Sequence, residues 1–286
     1  MTSDGKWKDY TSVALGAFCY STLIIFTRLT VGLNAMTVAF FRAFFAFLFF
    51  SFLLIWYREP LNFGKYKKVT WSLIGSGVAM GITAALYIYA VQHTTAANAS
   101  LLVNSAPIYI AVLSPLVLKE SRPKYTWISL GLILIGIVLI TGVYQTKIQE
   151  ISIGGIIAGV FSGFFYALTM IFSRINRKSV SGFTQTFWST GVASLVLLPF
   201  LIQTPWPLIQ KNIFVLIPLG IISLGIASFL YFKSLAKLKA QVVSVVAILE
   251  PVMGVLFGVL LYQEMLTISS VSGVILVILS IYLISK

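Results

Sequence analysis

The sequence predicts an all-α integral membrane protein with ten transmembrane helices, arranged as two five-helix repeats of inverted topology. Three observations lead to this prediction: an apolar composition, ten long apolar stretches and a gapless internal repeat. The chain is 59% hydrophobic and 9% charged, and its mean hydropathy is +0.99. Charged residues make up about 25% of an ordinary soluble domain. The composition therefore excludes a soluble globular protein.

Each apolar stretch is long enough to form one span, because a helix needs about 20 mostly apolar residues to cross the hydrocarbon layer. The predicted spans cover residues 10–29, 36–57, 69–92, 97–118, 125–144, 151–173, 183–202, 213–233, 241–262 and 267–284. The first span lacks a small-residue cleavage site before the next helix, so we expect it to be a membrane helix rather than a signal peptide.

The second half of the chain repeats the first half. Residues 81–140 align with residues 225–284 at an offset of 144, and thirteen of the sixty aligned positions are identical. Pro107 aligns with Pro251 and Glu120 with Glu264, which a shared apolar composition does not explain. We therefore expect five-helix repeats at residues 1–146 and 147–286. Because five is an odd number, the second repeat enters the membrane from the opposite side, and such a pair can alternate access to a central site.

Positive charge is distributed unevenly about the predicted spans. The net charge is +13, and sixteen of the twenty Lys and Arg residues fall on one side of the membrane. The other side has Arg28, Lys147 and Lys211, whereas Arg42 lies within the second span. The positive-inside rule then predicts a multi-pass protein of the cytoplasmic (inner) membrane with both termini in the cytoplasm. The expected partners are the lipid bilayer and a small-molecule substrate, not nucleic acid.

Several predicted helices carry small or polar residues at steps of three and four, which places them on one face. Such a face can serve close helix packing, for which small residues are typical. A second interpretation is the wall of a polar cavity, because an unsatisfied polar group facing lipid is costly. The cavity interpretation suits Tyr20, Tyr87, Asn104 and Tyr166 best, and we predict that they bind substrate.

Span nine contains Leu249-Glu250-Pro251-Val252, and its end carries Glu264. This pattern resembles the signature of EamA-type members of the drug/metabolite transporter superfamily, and the aligned Pro and Glu of the first repeat form its sister version. The resemblance extends over essentially the whole chain. It implies a transporter fold of ten spans, in a family whose members move amino acids, cofactors, sugars or drugs, often outward. It does not identify the substrate.

Three further side chains are candidates for substrate binding. Ionisable groups within a membrane segment are costly unless they are paired or hydrated, so Arg42 and Glu250 are functional candidates by default. Arg42 can grip a carboxylate or phosphate through two parallel hydrogen bonds, or it can extend to the outer headgroups. Glu250 can carry a proton or accept hydrogen bonds from a neighbouring helix. Trp188 can stack on an apolar cargo or pack against other helices.

Other functional classes lack the residues that they require. The chain has one His, one Cys and seven acidic residues, with no HExxH motif, so an enzyme is not expected and neither a cofactor nor a metal is predicted. A GxxxxGK[ST] loop for nucleotide binding is also absent from the sequence. The prediction is a secondary transporter for export or facilitated diffusion of amino acids or related compounds by alternating access. The alternative is a proton-coupled multidrug exporter of lipophilic cations, and the sequence is compatible with a monomer or a homodimer.

Overall fold

The computed structural model describes residues 3–56, 70–94, 96–142, 152–177, 179–201, 204–262 and 267–285. All regular secondary structure among these residues is helical. Glu264 and the predicted repeat boundary at residues 146 and 147 lie outside the described residues.

Thirteen α-helices are found in the described ranges. Those of the first half are α1 (Ser3–Leu29), α2 (Ala35–Trp56), α3 (Thr70–His93), α4 (Ala96–Val103), α5 (Ala106–Val117) and α6 (Thr126–Thr141). Those of the second half are α7 (Ile153–Asn176), α8 (Gly182–Leu197), α9 (Trp206–Gly220), α10 (Ala227–Leu235), α11 (Ala240–Ala247), α12 (Leu249–Tyr262) and α13 (Ile268–Ser285). A 3₁₀ turn (Leu198–Leu201) follows α8, and a π-helical turn (Ile221–Ile226) joins α9 to α10.

Seven stretches of the described chain are long and apolar enough to cross a membrane. They are Asp9–Leu29, Ala35–Trp56, Thr70–His93, Asn98–Leu118, Ile153–Asn176, Trp206–Leu235 and Ala240–Leu261. Helices α6, α8 and α13 lie at the other three predicted positions and are shorter. The architecture is thus all-helical and multi-pass, and the count of ten spans remains a prediction.

Two of the predicted spans are interrupted at equivalent points of the repeat. The sequence predicted single helices at residues 97–118 and 241–262, but each is divided, between α4 and α5 and between α11 and α12. The cause is proline, which has no backbone N–H to donate to the carbonyl four residues earlier. Pro107 therefore leaves the Val103 carbonyl without its helical hydrogen-bond donor. Pro251 leaves the Ala247 carbonyl without its donor in the same way. Both interruptions lie within the spans rather than at their ends.

The helices of one half pack mainly against helices of the other. Helix α3 packs on α7 and α8, α1 on α10 and α12, and α2 on α8 and the π turn, while α6 pairs with α13. Glycine allows this last pair to approach closely, because a Cβ atom on Gly273 would lie 2.5 Å from the Gly136 carbonyl oxygen. Between these pairs, near the helix interruptions, the two halves enclose a cavity.

Candidate functional site

A cavity of about 170 Å³ lies between the two halves of the chain. Helices α1 to α4 contribute to its wall from the first half, and α7, α8, α10, α12 and the π turn contribute from the second. Six of the seven predicted site residues line it: Tyr20, Arg42, Tyr87, Asn104, Tyr166 and Glu250. The sequence therefore located residues that the fold brings together, while their role in binding a substrate remains a prediction.

Arg42 is held in the cavity wall by the opposite half of the chain. Its Nε donates to Ser223 Oγ at 3.0 Å, and its Nη2 donates to the Ser223 carbonyl oxygen at 2.6 Å. The Ser223 hydroxyl donates to the Leu219 carbonyl, so its oxygen is free to accept from Arg42. The guanidinium carbon also lies 5.5 Å from the centre of the Tyr20 ring. These contacts fix Arg42 within the protein, whereas the alternative interpretation placed it at the outer headgroups.

The π turn brings Ser223 to this position. Pro218 lies inside α9 and cannot donate a helical hydrogen bond, and the turn begins three residues later. At Gly220 the backbones of α9 and α2 approach closely, since a Cβ atom there would lie 2.9 Å from the Arg42 carbonyl oxygen. The sequence analysis missed Ser223, although the nearby proline and glycine are the signal that could have indicated it.

Tyrosine rings form a second part of the wall. The Tyr20 hydroxyl forms a 2.6 Å hydrogen bond with Ser228 Oγ, and its ring centre lies 5.0 Å from that of Tyr231. Tyr231 is 3% exposed, and its hydroxyl has no hydrogen-bond partner among the described residues. The sequence analysis did not select Tyr231, although its alignment with Tyr87 could have identified it. Its hydroxyl is thus a buried polar group that the described residues leave without a partner.

Glu250 contributes the opposite charge. It lies in the first turn of α12, directly after the helix interruption, and lines the same cavity as Arg42. The described residues give its carboxylate no hydrogen-bond donor and no ion pair within 4 Å, so Glu250 and Arg42 do not neutralise each other by direct contact. The start of a helix also favours a negative charge. The cavity therefore presents one fixed cation and one separate carboxyl group.

Asn104 belongs to the turn between α4 and α5. Its Nδ2 donates to the Ser100 carbonyl oxygen at 2.9 Å, and both residues line the cavity. The Ser100 carbonyl also accepts from the Asn104 backbone N–H at 3.1 Å, so the side chain adds a second hydrogen bond at the end of α4. The rest of the wall is largely apolar, with Met80 and Phe232 among its residues. This combination suits a small molecule with a charged part and an apolar part.

Trp188 is the one predicted site residue that does not line the central cavity. It lies in a separate apolar groove of about 310 Å³ between α2 and α8, where its ring contacts Phe187. On α8 the cavity is lined by Ala193 and Leu197. Trp188 precedes Ala193 by five residues, which turns it about 140° around the helix axis. Trp188 therefore faces away from the other six predicted site residues, and its role in binding a substrate remains a prediction.

Metal binding has no visible basis in the part of the chain that the structure describes. That part contains no group of three or more His, Cys, Asp or Glu side chains able to hold an ion.

Similarity to known proteins extends over the full chain. The EamA-like transporter family matches residues 8–142 and again residues 153–286. An uncharacterized transporter of Archaeoglobus fulgidus is 30% identical over 262 residues, which are 92% of this chain and 90% of that protein. Another, of Helicobacter pylori, is 28% identical over 281 residues, or 94% of this chain and 91% of its own length.

More distant proteins are also similar to this chain. Human solute carrier family 35 member G1 is 26% identical over 279 residues, which cover 93% of this chain and 75% of the human protein. A solved crystal structure at 15% identity has a TM-score of 0.83 and covers 97% of both chains, which shows a common fold. Together with the apolar helices, the relatives indicate a multi-pass membrane transporter. The chain belongs to the EamA-like transporter family.

Proposed function

We propose that the protein is a secondary transporter of the cytoplasmic membrane that exports amino acids or related small organic metabolites, or facilitates their diffusion. The observation that carries this proposal is a cavity lined by both halves of the chain. Its wall contains the Arg42 guanidinium of the first half, which Ser223 of the second half holds in place. A site between two repeats is typical of transporters that expose it to each side of the membrane in turn.

Alternating access is supported by how the halves pack. The principal contacts join α1 to α10 and α12, α2 to α8 and the π turn, α3 to α7 and α8, and α6 to α13. A shift of one half relative to the other would therefore change the cavity walls on both sides at once. If the second half is inverted, as the odd number of predicted helices implies, the two shifted arrangements are near equivalents of each other. Neither state is then strongly favoured, and substrate can be released on either side.

Each charged or aromatic group has an assigned role in this proposal. Arg42 holds the carboxylate of the substrate, because its two bonds to Ser223 leave further N–H groups for a ligand. Tyr20, Tyr87 and Tyr166 contact the remainder of the molecule. Glu250 either receives the ammonium group or carries a proton through the transport cycle.

A second candidate function is proton-coupled export of lipophilic cations. The observation that favours it is the Glu250 carboxyl group, which faces a mostly apolar and aromatic cavity without a described donor. Cations are attracted to carboxylates and to aromatic faces. In this case Glu250 would select the charge of the substrate, and Arg42 would be structural.

Uptake into proteoliposomes separates the two functions. Purified protein is tested with labelled amino acids and quaternary ammonium cations, with and without an imposed proton gradient. Amino-acid flux that equilibrates without a gradient supports a facilitator, whereas cation flux that requires the gradient supports the drug exporter.

Arg42→Gln is expected to abolish amino-acid flux, and Lys211→Gln, which removes an exposed positive charge, is the matched control. Normal amino-acid flux in well-expressed Arg42→Gln protein would overturn the assignment of Arg42.

A further inference from the structure

Met170 of α7 and Leu235 of α10 belong to the part of the cavity wall that adjoins Arg174. Arg174 lies one turn further along α7, and its Nη1 donates to the Leu235 carbonyl oxygen. A charged side chain therefore bridges two helices of the cavity wall at this point. It faces the side of the molecule that carries Asp9 and Lys237, the side for which the charge distribution predicts the cytoplasm.

The same arginine joins the second half of the chain to the first. Arg174 Nε and Nη2 both lie 2.7 Å from Glu120 Oε1, and Arg177 Nη1 lies 2.8 Å from the same oxygen. The side chains of Arg174 and Glu120 are only 7% and 8% exposed. Lys119 adopts a left-handed conformation with φ of 55° just after α5, a common way to end a helix. The chain turns there, and Glu120 lies beside α7.

This cluster is incompletely satisfied. Three donors converge on Glu120 Oε1, while its Oε2 is buried and has no partner among the described residues. Both amide atoms of Gln241 are also buried without a described partner. Gln241 lies at the same end of the molecule, since nearby Lys239 donates to the Ser121 hydroxyl and carbonyl oxygens. Buried polar groups without partners cost free energy, and that cost is relieved if water reaches them in another conformation.

We propose that Glu120, Arg174, Arg177 and the Leu235 carbonyl form a gate that closes the cavity toward the side of Asp9 and Lys237. This proposal rests on the alternating access of the proposed function. Opening requires the Arg174 contacts to separate, which moves α7 away from the end of α5 and from α10 and admits water to Glu120 Oε2. A buried ion pair suits this task, because its attraction is largely offset by the cost of removing both charges from water. The ion pair can therefore define the closed arrangement without making the closed state too stable to open.

Cysteine accessibility tests the gate without requiring a known substrate. Cys19 is replaced by serine, and Ser100, which lines the cavity, is replaced by cysteine. Right-side-out and inside-out vesicles are then treated with a membrane-impermeant thiol reagent. With the gate intact, labelling from the Asp9 side should be slow. Glu120→Gln or Arg174→Gln should accelerate it about tenfold or more, which corresponds to about 1.4 kcal/mol in the opening equilibrium.

Control variants distinguish a gate from a contact that only supports the fold. Removing one partner of a buried pair can destabilise the protein, so Glu120→Gln/Arg174→Gln removes both charges together and should also accelerate labelling. Lys124→Gln removes an exposed charge at the same end, where the ammonium lies over the Tyr125 ring and not in the cluster, and it should leave labelling unchanged. If the well-folded double variant labels at the original rate from the Asp9 side, the gate is overturned. The variants could change labelling as expected while the protein transports no amino acid or cation. That result would support the gate and overturn the proposed function.

Discussion

Replacing Arg42 tests whether the cavity recognises a carboxylate by geometry as well as by charge. Arg42→Lys retains the positive charge, but an ammonium group is a point charge and cannot reproduce two parallel hydrogen bonds. It also cannot keep both contacts that the guanidinium makes with Ser223. A hydrogen bond to a charged group contributes about 1.5–3 kcal/mol. Since about 1.4 kcal/mol is tenfold in affinity, we expect Arg42→Lys to weaken binding of a transported amino acid about 10- to 150-fold.

Ser223→Ala isolates the contribution of positioning. This change removes the oxygen that accepts from Arg42 Nε and leaves the Ser223 carbonyl to accept from Nη2. Because the Ser223 hydroxyl positions Arg42 and does not itself hold the substrate, we expect only part of that bond's energy of about 1.5–3 kcal/mol to be lost from binding, which lowers affinity about 2- to 12-fold. Equilibrium binding in detergent and initial rates in proteoliposomes should rank the proteins as wild type, Ser223→Ala, Arg42→Lys and Arg42→Gln. Two results would refute the role of Arg42 geometry in binding. One is unchanged affinity in correctly folded Arg42→Lys protein, and the other is a larger loss of affinity in Ser223→Ala than in Arg42→Lys.

Other predictions concern stability and the assignment of faces. Gly273→Ala should lower the melting temperature in detergent, because the added methyl group meets a carbonyl of α6 at 2.5 Å and such overpacking costs about 1–3 kcal/mol. Gly131→Ala is the control in α6, since nothing lies within 4 Å of its Cβ position, and equal destabilisation of both proteins would contradict the packing. Tyr20→Phe should destabilise the protein by about 1–3 kcal/mol by leaving a buried hydroxyl without its partner. In the same melting assay Tyr231→Phe should have no such effect, because that hydroxyl has no described partner. Trp188→Leu should leave the KM for an amino acid unchanged. An increase in KM comparable to that of Arg42→Lys would show that Trp188 contributes to substrate binding.

Much of the cavity could be predicted because polar side chains are rare in apolar spans. Tyr20, Arg42, Tyr87 and Glu250 stand out against such surroundings, and the cost of exposing them to lipid implies a shared interior. The repeat adds that the two halves must meet. Together these arguments place residues distant in the sequence at one site without any knowledge of the contacts.

The errors have a common physical origin, which is the local geometry of each helix. The predicted spans were treated as regular helices, so the interruptions before Pro107 and Pro251 and the π turn at Ser223 were not foreseen. Trp188 was selected for its chemistry, although a uniform helix does not reveal which face meets the centre of the bundle. Glu120 was recognised only as a repeat marker, because its partners Arg174 and Arg177 lie more than fifty residues away.

The paired helix interruptions would affect the speed of the proposed transport cycle as well as the shape of the cavity. Bending an intact helix in the membrane exposes peptide groups that no water can solvate. At Val103 and Ala247 the proline four residues later has already removed the helical hydrogen bond. A rotation of α5 relative to α4, or of α12 relative to α11, therefore requires little further loss of backbone bonding. Pro107→Ala and Pro251→Ala restore these backbone hydrogen bonds and should make both divided helices more rigid. The activation barrier for transport should then rise, so a more regular helix would give a slower transporter.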